Sequence, residues 1–300
     1  MSEYHIPVML AESISALVTN PDGIYADATF GGGGHTAELL SRLNDGGKVI
    51  AFDRDFEAIA NAPEDPRLTL VHNNFRFIEN YASFYDVKFD GILADLGVSS
   101  HQFDTAERGF SFRFEEAPLD MRMNQEASLT AEQVVNNYSE AELEHILRLY
   151  GEVDGARNAA RLIIQARPLA TTGDLDRALE RILPKGAEHK VLAKVYQALR
   201  IEVNQEMRSL EKFLDGAARS LKEGGRLVVI TYHSLEDRMV KNFIKTGNVD
   251  GIQEKDVFGR CQAPLEAVNR KPVVPSEEEI SGNTRARSAK LRIAERRAVL

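Results

Sequence analysis

The sequence has 300 residues, 43% of them hydrophobic and 28% charged, which is enough apolar material for one large domain or a domain with an insertion. Its formal net charge of -9 argues against a protein that coats nucleic acid, because such proteins are usually basic. A single cysteine, Cys261, excludes an internal disulfide framework, a cysteine-based zinc site and an iron–sulfur cluster.

Short β-rich runs alternate with helical stretches over residues 23–95, and one more such run follows much later. The predicted strands cover residues 23–29, 48–53, 68–71, 91–95 and 225–232. Strands separated by helices form βαβ units, so we expect a parallel sheet that is buried on both faces.

Between the fourth and fifth predicted strands, apolar residues recur at helical spacing. The predicted helices cover residues 143–150, 156–164, 175–183 and 192–199, and the last continues toward Ala217. Four successive amphipathic helices are too many for one crossover and predict an inserted helical subdomain. We therefore expect residues 1–105 and 200–300 to form a discontinuous α/β domain, and residues 106–199 to form the insert that recognises the substrate.

Four glycines, residues 31–34, separate the first predicted strand from the following helix. Glycines there let a ligand lie close to bare backbone amides at a helix N-terminus. The run lacks the Gly-Lys-Ser/Thr of a phosphate-binding loop, and Thr36 or Ala37 stands where a dinucleotide fingerprint has its third glycine. An acid, Asp27, followed by Gly-x-Gly resembles the S-adenosylmethionine loop of Rossmann-like methyltransferases; the plain alternative is a flexible turn.

Asp53 ends the second predicted strand, roughly 20 residues after the glycines. An acid at this place in nucleotide-binding sheets hydrogen-bonds the ribose hydroxyls. The alternative is an acid that starts the next helix, since Asp55 follows within a turn. The glycine run before Asp53 favours the ribose role.

Asp95 ends the fourth predicted strand and is followed by Leu-Gly-Val-Ser-Ser-His-Gln over residues 96–102. Ligands of open parallel sheets bind at the carboxyl ends of strands, so we expect this loop to line the cofactor and substrate pockets. Residues 97–101 lack the closing glycine of a serine-nucleophile elbow, which argues against hydrolase chemistry.

His233 and Ser234 follow the fifth predicted strand, where polar residues indicate a site. The alternative is that Ser234 caps the next helix together with Asp237, a role that can coexist with function. The seven histidines of the chain lack the spacing of a metal site borne on one helix, so we expect no metal.

Arginine and phenylalanine alternate in Arg-Gly-Phe-Ser-Phe-Arg-Phe, residues 108–114. Such side chains stack on bases and hold phosphates, which makes Arg108, Phe110 and Arg113 candidate substrate contacts. The alternative is a hydrophobic hinge that packs the helical insert onto the sheet.

Eight blocks of the sequence closely resemble, in order and over essentially the whole chain, the bacterial RsmH family, also called MraW. The blocks are residues 5–10, 33–35, 95–100, 108–112, 118–123, 197–204, 233–238 and 285–288. One departure is Gly32, where the family often has an arginine. This glycine removes a side-chain contact and leaves the backbone cradle intact.

The resemblance implies a Rossmann-like class I methyltransferase sheet and an S-adenosylmethionine-dependent enzyme that methylates N4 of a cytidine in the decoding region of 16S ribosomal RNA. The cofactor contacts that it implies come from Gly33, Gly34, His35, Asp53, Phe75, Asp95 and Gln102. Asp95, His233 and Ser234 are the candidate catalytic residues, which would hold an N–H of the amine or orient the base. Methylation at cytosine C5 needs a cysteine nucleophile, and Cys261 is far from every motif, which favours N4.

Several other interpretations stay open on the residues alone. A NAD-dependent oxidoreductase would share the sheet and Asp53, although its third glycine is replaced here. A non-catalytic RNA-binding or assembly factor would show no methyl incorporation into ribosomal RNA. The acceptor of a methyl group could also be an amine of another nucleic acid or of a protein. The resemblance implies 16S rRNA within the small ribosomal subunit as the partner, and a homodimer is compatible with the sequence.

The N-terminal residues show no signal-peptide pattern, and no run approaches 18 apolar residues, so we expect a cytoplasmic protein that does not associate with membranes. Charge is unevenly placed, because residues 285–300 carry six basic residues and one acid, Glu295. This segment is either an RNA contact or a closing strand with a solvated end. Phosphate neutralisation depends on local groups, so the net charge does not exclude an RNA substrate.

Overall fold

The computed structural model describes residues 7–60, 62–253 and 262–298. Residue contacts divide the chain into two compact units. The first joins Met1–Gly97 to Arg208–Leu300, and the second is Val98–Met207. The sequence predicts the corresponding boundaries at 105/106 and 199/200. Cys261 lies outside the described residues.

The first unit contains a seven-stranded sheet with helices. The strands are β1 Ile24–Asp27, β2 Lys48–Asp53, β3 Leu68–His72, β4 Phe89–Asp95, β5 Leu221–Thr231, β6 Leu265–Ala267 and β7 Lys290–Arg296. Their order in the sheet is β3-β2-β1-β4-β5-β7-β6. The five predicted strands and the Rossmann-like α/β fold are confirmed.

The helices of the two units follow one another in chain order. They are α1 Leu10–Leu17, α2 Gly34–Arg42, α3 Phe56–Ala60, α4 Ile78–Phe84, α5 Ser100–Asp104, α6 Ala131–Asn137, α7 Glu140–Leu149, α8 Ala156–Gln165, α9 Thr172–Leu179, α10 Glu188–Asn204, α11 Glu206–Ser220, α12 Ser234–Thr246 and α13 Glu277–Gly282. In the part of the chain that the structure describes, no helix combines the length and apolarity needed to span a membrane.

The sheet is mixed, so the expectation of a parallel sheet is wrong for its last two strands. The strands β1 to β5 pair in parallel, whereas β7 runs antiparallel to β5, and β6 antiparallel to β7. In β7, the buried Leu291 and Ile293 alternate with Lys290 and Arg292. Such alternation is typical of antiparallel strands, while the continuous apolar runs of β4 and β5 suit parallel strands covered on both faces.

Consecutive residues of a central strand enter two different cores, one on each face of the sheet. Ile92 and Val229 belong to the first core, and Leu93 and Val228 to the second. The first core is closed by α4, α11 and α12 through Ile78, Phe213 and Val240. The second is closed by α1 and α2 through Leu17 and Leu39. Both faces of the sheet are therefore buried, as predicted. A ligand can reach the sheet only at the ends of its strands.

The second unit packs α6 to α10 around an apolar core of its own. The predicted helices 143–150, 156–164 and 192–199 correspond to α7, α8 and part of α10. The one predicted over 175–183 is formed by α9 and a 3-10 turn, Glu180–Ile182.

The helix predicted to continue toward Ala217 is interrupted, because α10 ends and α11 begins on either side of Gln205, which has a left-handed φ of 50°. The side chain of Asn204 fixes this break. Its Nδ2 donates to the Met121 carbonyl at 2.7 Å, and its Oδ1 accepts from the Met123 N–H at 2.8 Å. These are long-range contacts, and the local sequence has no glycine or proline that would indicate the end of a helix.

Candidate functional site

Neighbouring parallel strands bring polar side chains to one edge of the sheet. Asp27 ends β1, Asp53 ends β2, Asp95 ends β4, and Tyr232 directly follows β5. The strand order β2-β1-β4-β5 makes these four ends neighbours. The carboxyl ends of parallel strands are the place where open α/β sheets bind ligands.

The glycine loop leads into the N-terminus of α2. Gly33 is the N-cap with φ 77°, and a Cβ there would lie 2.9 Å from the Phe30 ring. A Cβ on Gly34 would lie 2.2 Å from Pro7, whereas one on Gly32 would meet no described atom within 4 Å. No side chain of the described residues caps α2. Its first N–H groups can therefore donate hydrogen bonds to an anion that lies beside the open backbone of Gly32.

The Asp53 carboxylate joins this loop to the end of β2. Its Oδ2 accepts from the Gly31 N–H at 2.7 Å, and its Oδ1 accepts from the Asp55 N–H at 2.8 Å. Burial raises the pKa of Asp53. The helix-start role belongs to Asp55, whose Oδ1 accepts from the Glu57 N–H at 3.1 Å. Each oxygen of Asp53 keeps a lone pair that a hydroxyl donor can use.

Asp95 is held by two hydrogen bonds at the end of β4. Its backbone N–H donates to Thr29 Oγ1 at 2.7 Å, and its Oδ1 accepts from the Tyr232 hydroxyl at 2.7 Å. Burial is the main reason why the pKa of Asp95 is raised to about 6. Such a carboxyl group is ionised at neutral pH and basic enough to take a proton.

The imidazole ring of His35, in the first turn of α2, contacts other groups of the protein. The Val8 carbonyl accepts from Nε2 at 3.1 Å, and Nδ1 lies 3.8 Å from Asp95 Oδ2. The ring is buried, with 5% of the residue exposed. The group that His35 can offer to an anionic ligand is therefore its backbone N–H, at the N-terminus of the helix.

His233 is the N-cap of α12, and its Nδ1 accepts from the Glu236 N–H at 3.4 Å. The carboxylate of Glu236 closes the capping box by accepting from the His233 N–H. The predicted cap of Ser234 with Asp237 is therefore wrong, because the helix begins at Ser234 and is capped one residue earlier. Ser234 is exposed at the first helical position.

Phe75 and Gln102 are each held by contacts within their own unit. Phe75 is half-buried after β3, and its ring packs edge-to-face on Phe213 with centroids 5.2 Å apart, which fixes its orientation. Gln102 belongs to the helical unit, where it is buried in α5. Its Oε1 accepts from the Ser99 N–H at 3.3 Å in a capping box.

The three predicted substrate contacts lie in the helical unit and differ in exposure. Arg108 is 4% exposed, and its guanidinium donates to the Met123 carbonyl at 3.1 Å. Phe110 is also 4% exposed and packs in the core of the unit. Only Arg113 of the three has a largely exposed side chain, at 53%, where it pairs with Asp104 at 2.9 Å.

The basic C-terminal segment is largely used inside the α/β unit. Lys290 and Arg292 pair with Asp237 at 3.6 and 2.7 Å, and Arg297 pairs with Glu266 at 3.5 Å. The closing-strand alternative is thereby confirmed for residues 290–296.

Two further residues shape the site: Asp27, which the sequence places before the glycine loop without assigning it a contact, and Tyr232, which sequence reasoning did not single out as a site residue. Asp27 is fully buried; its Oδ1 accepts from the Thr29 N–H at 3.0 Å and its Oδ2 from the Thr36 hydroxyl at 2.7 Å, so it ties the loop to α2. Tyr232 holds Asp95. The signal for Asp27 was its place at a strand end before the glycines, whereas the contact of Tyr232 had no local signal.

Comparisons with known proteins agree with the sequence resemblance. A family model described as the MraW methylase family matches residues 2–297. Proteins named "Ribosomal RNA small subunit methyltransferase H" from Bacteroides fragilis (strain YCH46) and Bacteroides thetaiotaomicron are both 54% identical over 298 residues, with 98% of this chain and 98% of each relative covered. A solved structure described as a putative rRNA-methylase from Clostridium thermocellum covers 97% of this chain and 99% of its own at 14% identity, with a TM-score of 0.46, which is too low to bear on function. The chain belongs to the MraW methylase family.

Proposed function

We propose that this protein methylates the exocyclic amine N4 of a cytidine in the decoding region of 16S ribosomal RNA, with S-adenosylmethionine as the methyl donor. Membership of a methylase family over nearly the whole chain supports methyl transfer, and the names of its relatives support small-subunit rRNA as the acceptor. The single observation that supports chemistry at an amine is the half-buried carboxylate of Asp95, whose pKa is raised to about 6, next to the glycine loop at the carboxyl edge of the sheet.

The residues at this edge fit S-adenosylmethionine. The uncapped N-terminus of α2, at Gly33, Gly34 and His35, would hold the methionine carboxylate. The lone pairs of Asp53 would accept the ribose hydroxyls, and the exposed part of the Phe75 ring would flank the adenine. We also assign Gln102 a cofactor contact, as the family resemblance implies. The bound cofactor supplies a methyl group activated by a sulfonium.

The chain's own contribution to transfer is to place the amine and accept its hydrogen. The cytosine amine is weakly nucleophilic because its lone pair is delocalised into the ring. A carboxylate that accepts one N–H returns electron density to that nitrogen, and we assign this role to Asp95. Alignment of amine and methyl group contributes up to roughly 7–11 kcal/mol in favourable cases. No covalent enzyme intermediate is needed.

We propose that the helical unit recognises the RNA, and that Arg113 is one contact, since its guanidinium is exposed beside the Phe103 and Phe114 rings. His233 and Ser234, at the start of α12, would orient the base after it has left its stack. Arg108 and Phe110 would support the RNA-binding surface from inside the unit.

We propose the small ribosomal subunit as the form in which the rRNA is presented, and the cytoplasm as the place of reaction. Assembly fixes the shape of the decoding region, so a helical unit that reads shape would favour it over free RNA. A homodimer is the oligomeric state we propose to test by ultracentrifugation.

The test is methyl incorporation from labelled S-adenosylmethionine into small subunits and free 16S rRNA that lack the modification. We expect label in the rRNA with the wild-type protein and none with Asp95→Ala. Asp45→Ala, an exposed acid in the turn before β2, is the matched control and should behave as wild type. No label from wild-type protein, or stabilisation of its fold by NAD instead of S-adenosylhomocysteine, would exclude this function.

A further inference from the structure

Asp95 lies between two side chains that come from separate elements of the α/β unit. The Tyr232 hydroxyl donates to Oδ1 at 2.7 Å, and Nδ1 of His35 lies 3.8 Å from Oδ2. The other ring nitrogen of His35 is engaged by the Val8 carbonyl at 3.1 Å. The four groups form a row from the N-terminal segment to the residue after β5, in which Val8 and His35 are buried and Asp95 and Tyr232 are half-buried.

The Val8 carbonyl fixes a proton on Nε2 of His35. A carbonyl oxygen only accepts hydrogen bonds, so this nitrogen is the donor. The other nitrogen, Nδ1, lies 3.8 Å from Asp95 Oδ2. The two oxygens of Asp95 are therefore different: Oδ1 accepts a fixed hydrogen bond, and Oδ2 lies opposite the His35 ring, which lowers the pKa of Asp95.

The environment of Asp95 favours a proton on this carboxylate. Among the described residues, the charged and titratable groups facing Asp95 and its two partners, besides those partners themselves, are Asp27 of β1, Glu236 of α12 and Glu279 of α13. Burial first, and then the charges of Asp27 and Glu236, raise the pKa of Asp95 to about 6, while His35 and Tyr232 lower it.

We propose that Tyr232 and His35 are positioning residues that hold the Asp95 carboxylate so that Oδ2 takes the proton released by the methylated amine. This inference rests on the proposed function, since it needs an amine as acceptor. Methylation replaces one N–H bond of the amine by an N–C bond, and the electron pair of the broken C–S bond stays on sulfur. One proton must therefore leave the nitrogen, and Oδ2 is the oxygen of Asp95 that the Tyr232 hydroxyl leaves open to receive it.

The test compares Tyr232→Phe and His35→Gln with the wild type in two measurements. The first is the ¹³C-carboxyl titration of Asp95 in the cofactor-free protein, assigned with Asp95→Asn. Each variant loses a partner that favours the charged carboxylate, so we expect the pKa of Asp95 to rise by about one unit. The second is the pH profile of kcat, whose acid limb should move upward by the same amount. At pH 5, below both pKa values, kcat should fall about tenfold while KM for RNA changes less than about threefold.

Tyr25→Phe is the matched control, because Tyr25 is also buried and its hydroxyl donates to the Asn20 carbonyl at 2.9 Å, away from Asp95. It should leave both the titration and the profile of kcat unchanged. The proposal is overturned if the Asp95 titration does not move in either variant, or if it moves while the acid limb of kcat stays in place. Because the titration needs no substrate, it reports on the positioning even if the wild-type protein fails to methylate rRNA, which would refute the proposed function separately.

Discussion

Asp95 occupies a place where its negative charge opposes folding. Its pKa is about 6 in the folded protein against an ordinary value of 3.8, chiefly because of burial. Between these values the folded state binds more protons than the unfolded state, so the stability of the fold decreases as pH rises through this window. An acid whose charge opposes folding in this way is a candidate functional residue.

Asp95→Asn should therefore stabilise the protein at neutral pH while it abolishes methyl transfer. Asparagine keeps an acceptor for the Tyr232 hydroxyl and removes the buried charge. We expect a gain on the order of 2 kcal/mol in the free energy of unfolding at pH 7.5, which disappears near pH 4. Urea denaturation at both pH values measures it. A loss of stability of equal size at both pH values would contradict the assigned role of burial.

Gly33→Ala should weaken binding of S-adenosylhomocysteine at least about tenfold and destabilise the fold by about 1–2 kcal/mol. The left-handed φ of 77° and the 2.9 Å approach to Phe30 leave no room for a Cβ. Gly32→Ala is the control, since the space at Gly32 is open, and it should bind within about twofold of wild type. Calorimetric titration gives both affinities, and equal losses in the two variants would argue against the loop as the cofactor cradle.

How far the site could be predicted from sequence depends on the range of each contact. That Asp53 and Asp95 end strands is a local property, which the apolar runs before them indicate. The hydrogen bond between Tyr232 and Asp95 joins residues 137 positions apart, and no local pattern reports it. Burial of Arg108 has the same explanation, because the packing of the helical unit decides which side chains face inward.

At the scale of elements, buried strands and amphipathic helices are predictable because each has its own hydrophobic period. The antiparallel strand β7 was predicted only as an alternative, although Leu291 and Ile293 alternate with basic residues as an antiparallel strand requires. The end of α10 could not be predicted, because the Asn204 side chain fixes it through a distant loop at Met121.

Gln205→Gly should stabilise the protein by about 0.5–1 kcal/mol. Gln205 is exposed and has a left-handed φ of 50° at the C-terminus of α10, where glycine carries no steric cost. Gln205→Ala keeps the Cβ and should be neutral or slightly destabilising. The difference in urea midpoint between the two variants measures this effect. An alanine variant as stable as the glycine variant would show that the break is unstrained.

At the scale of the whole molecule, the net charge of -9 is compatible with an RNA substrate because phosphate contacts depend on local groups, and several basic side chains are paired within the fold. Arg292 forms an ion pair with Asp237, and Arg226 forms one with Glu295. Such a molecule repels RNA in general and depends on a small number of local contacts.

Binding of the RNA should accordingly depend only weakly on salt. Each neutralised phosphate contributes a slope of about −0.7 to log K against log salt for single strands, so we expect a total slope no steeper than about −3. Filter binding between 50 and 200 mM salt is suitable. A slope near −7 would indicate about ten phosphate contacts and contradict this account of the charge.

The central claim is tested most directly by the identity of the methylated nucleoside. Unmodified small subunits are incubated with the protein and S-adenosylmethionine, and the 16S rRNA is digested and separated by liquid chromatography with mass spectrometry. We expect N4-methylcytidine, at about one per rRNA molecule, with wild-type protein, and none with Asp95→Ala. Formation of 5-methylcytidine, of a methylated purine, or of no methylated nucleoside would contradict the claim.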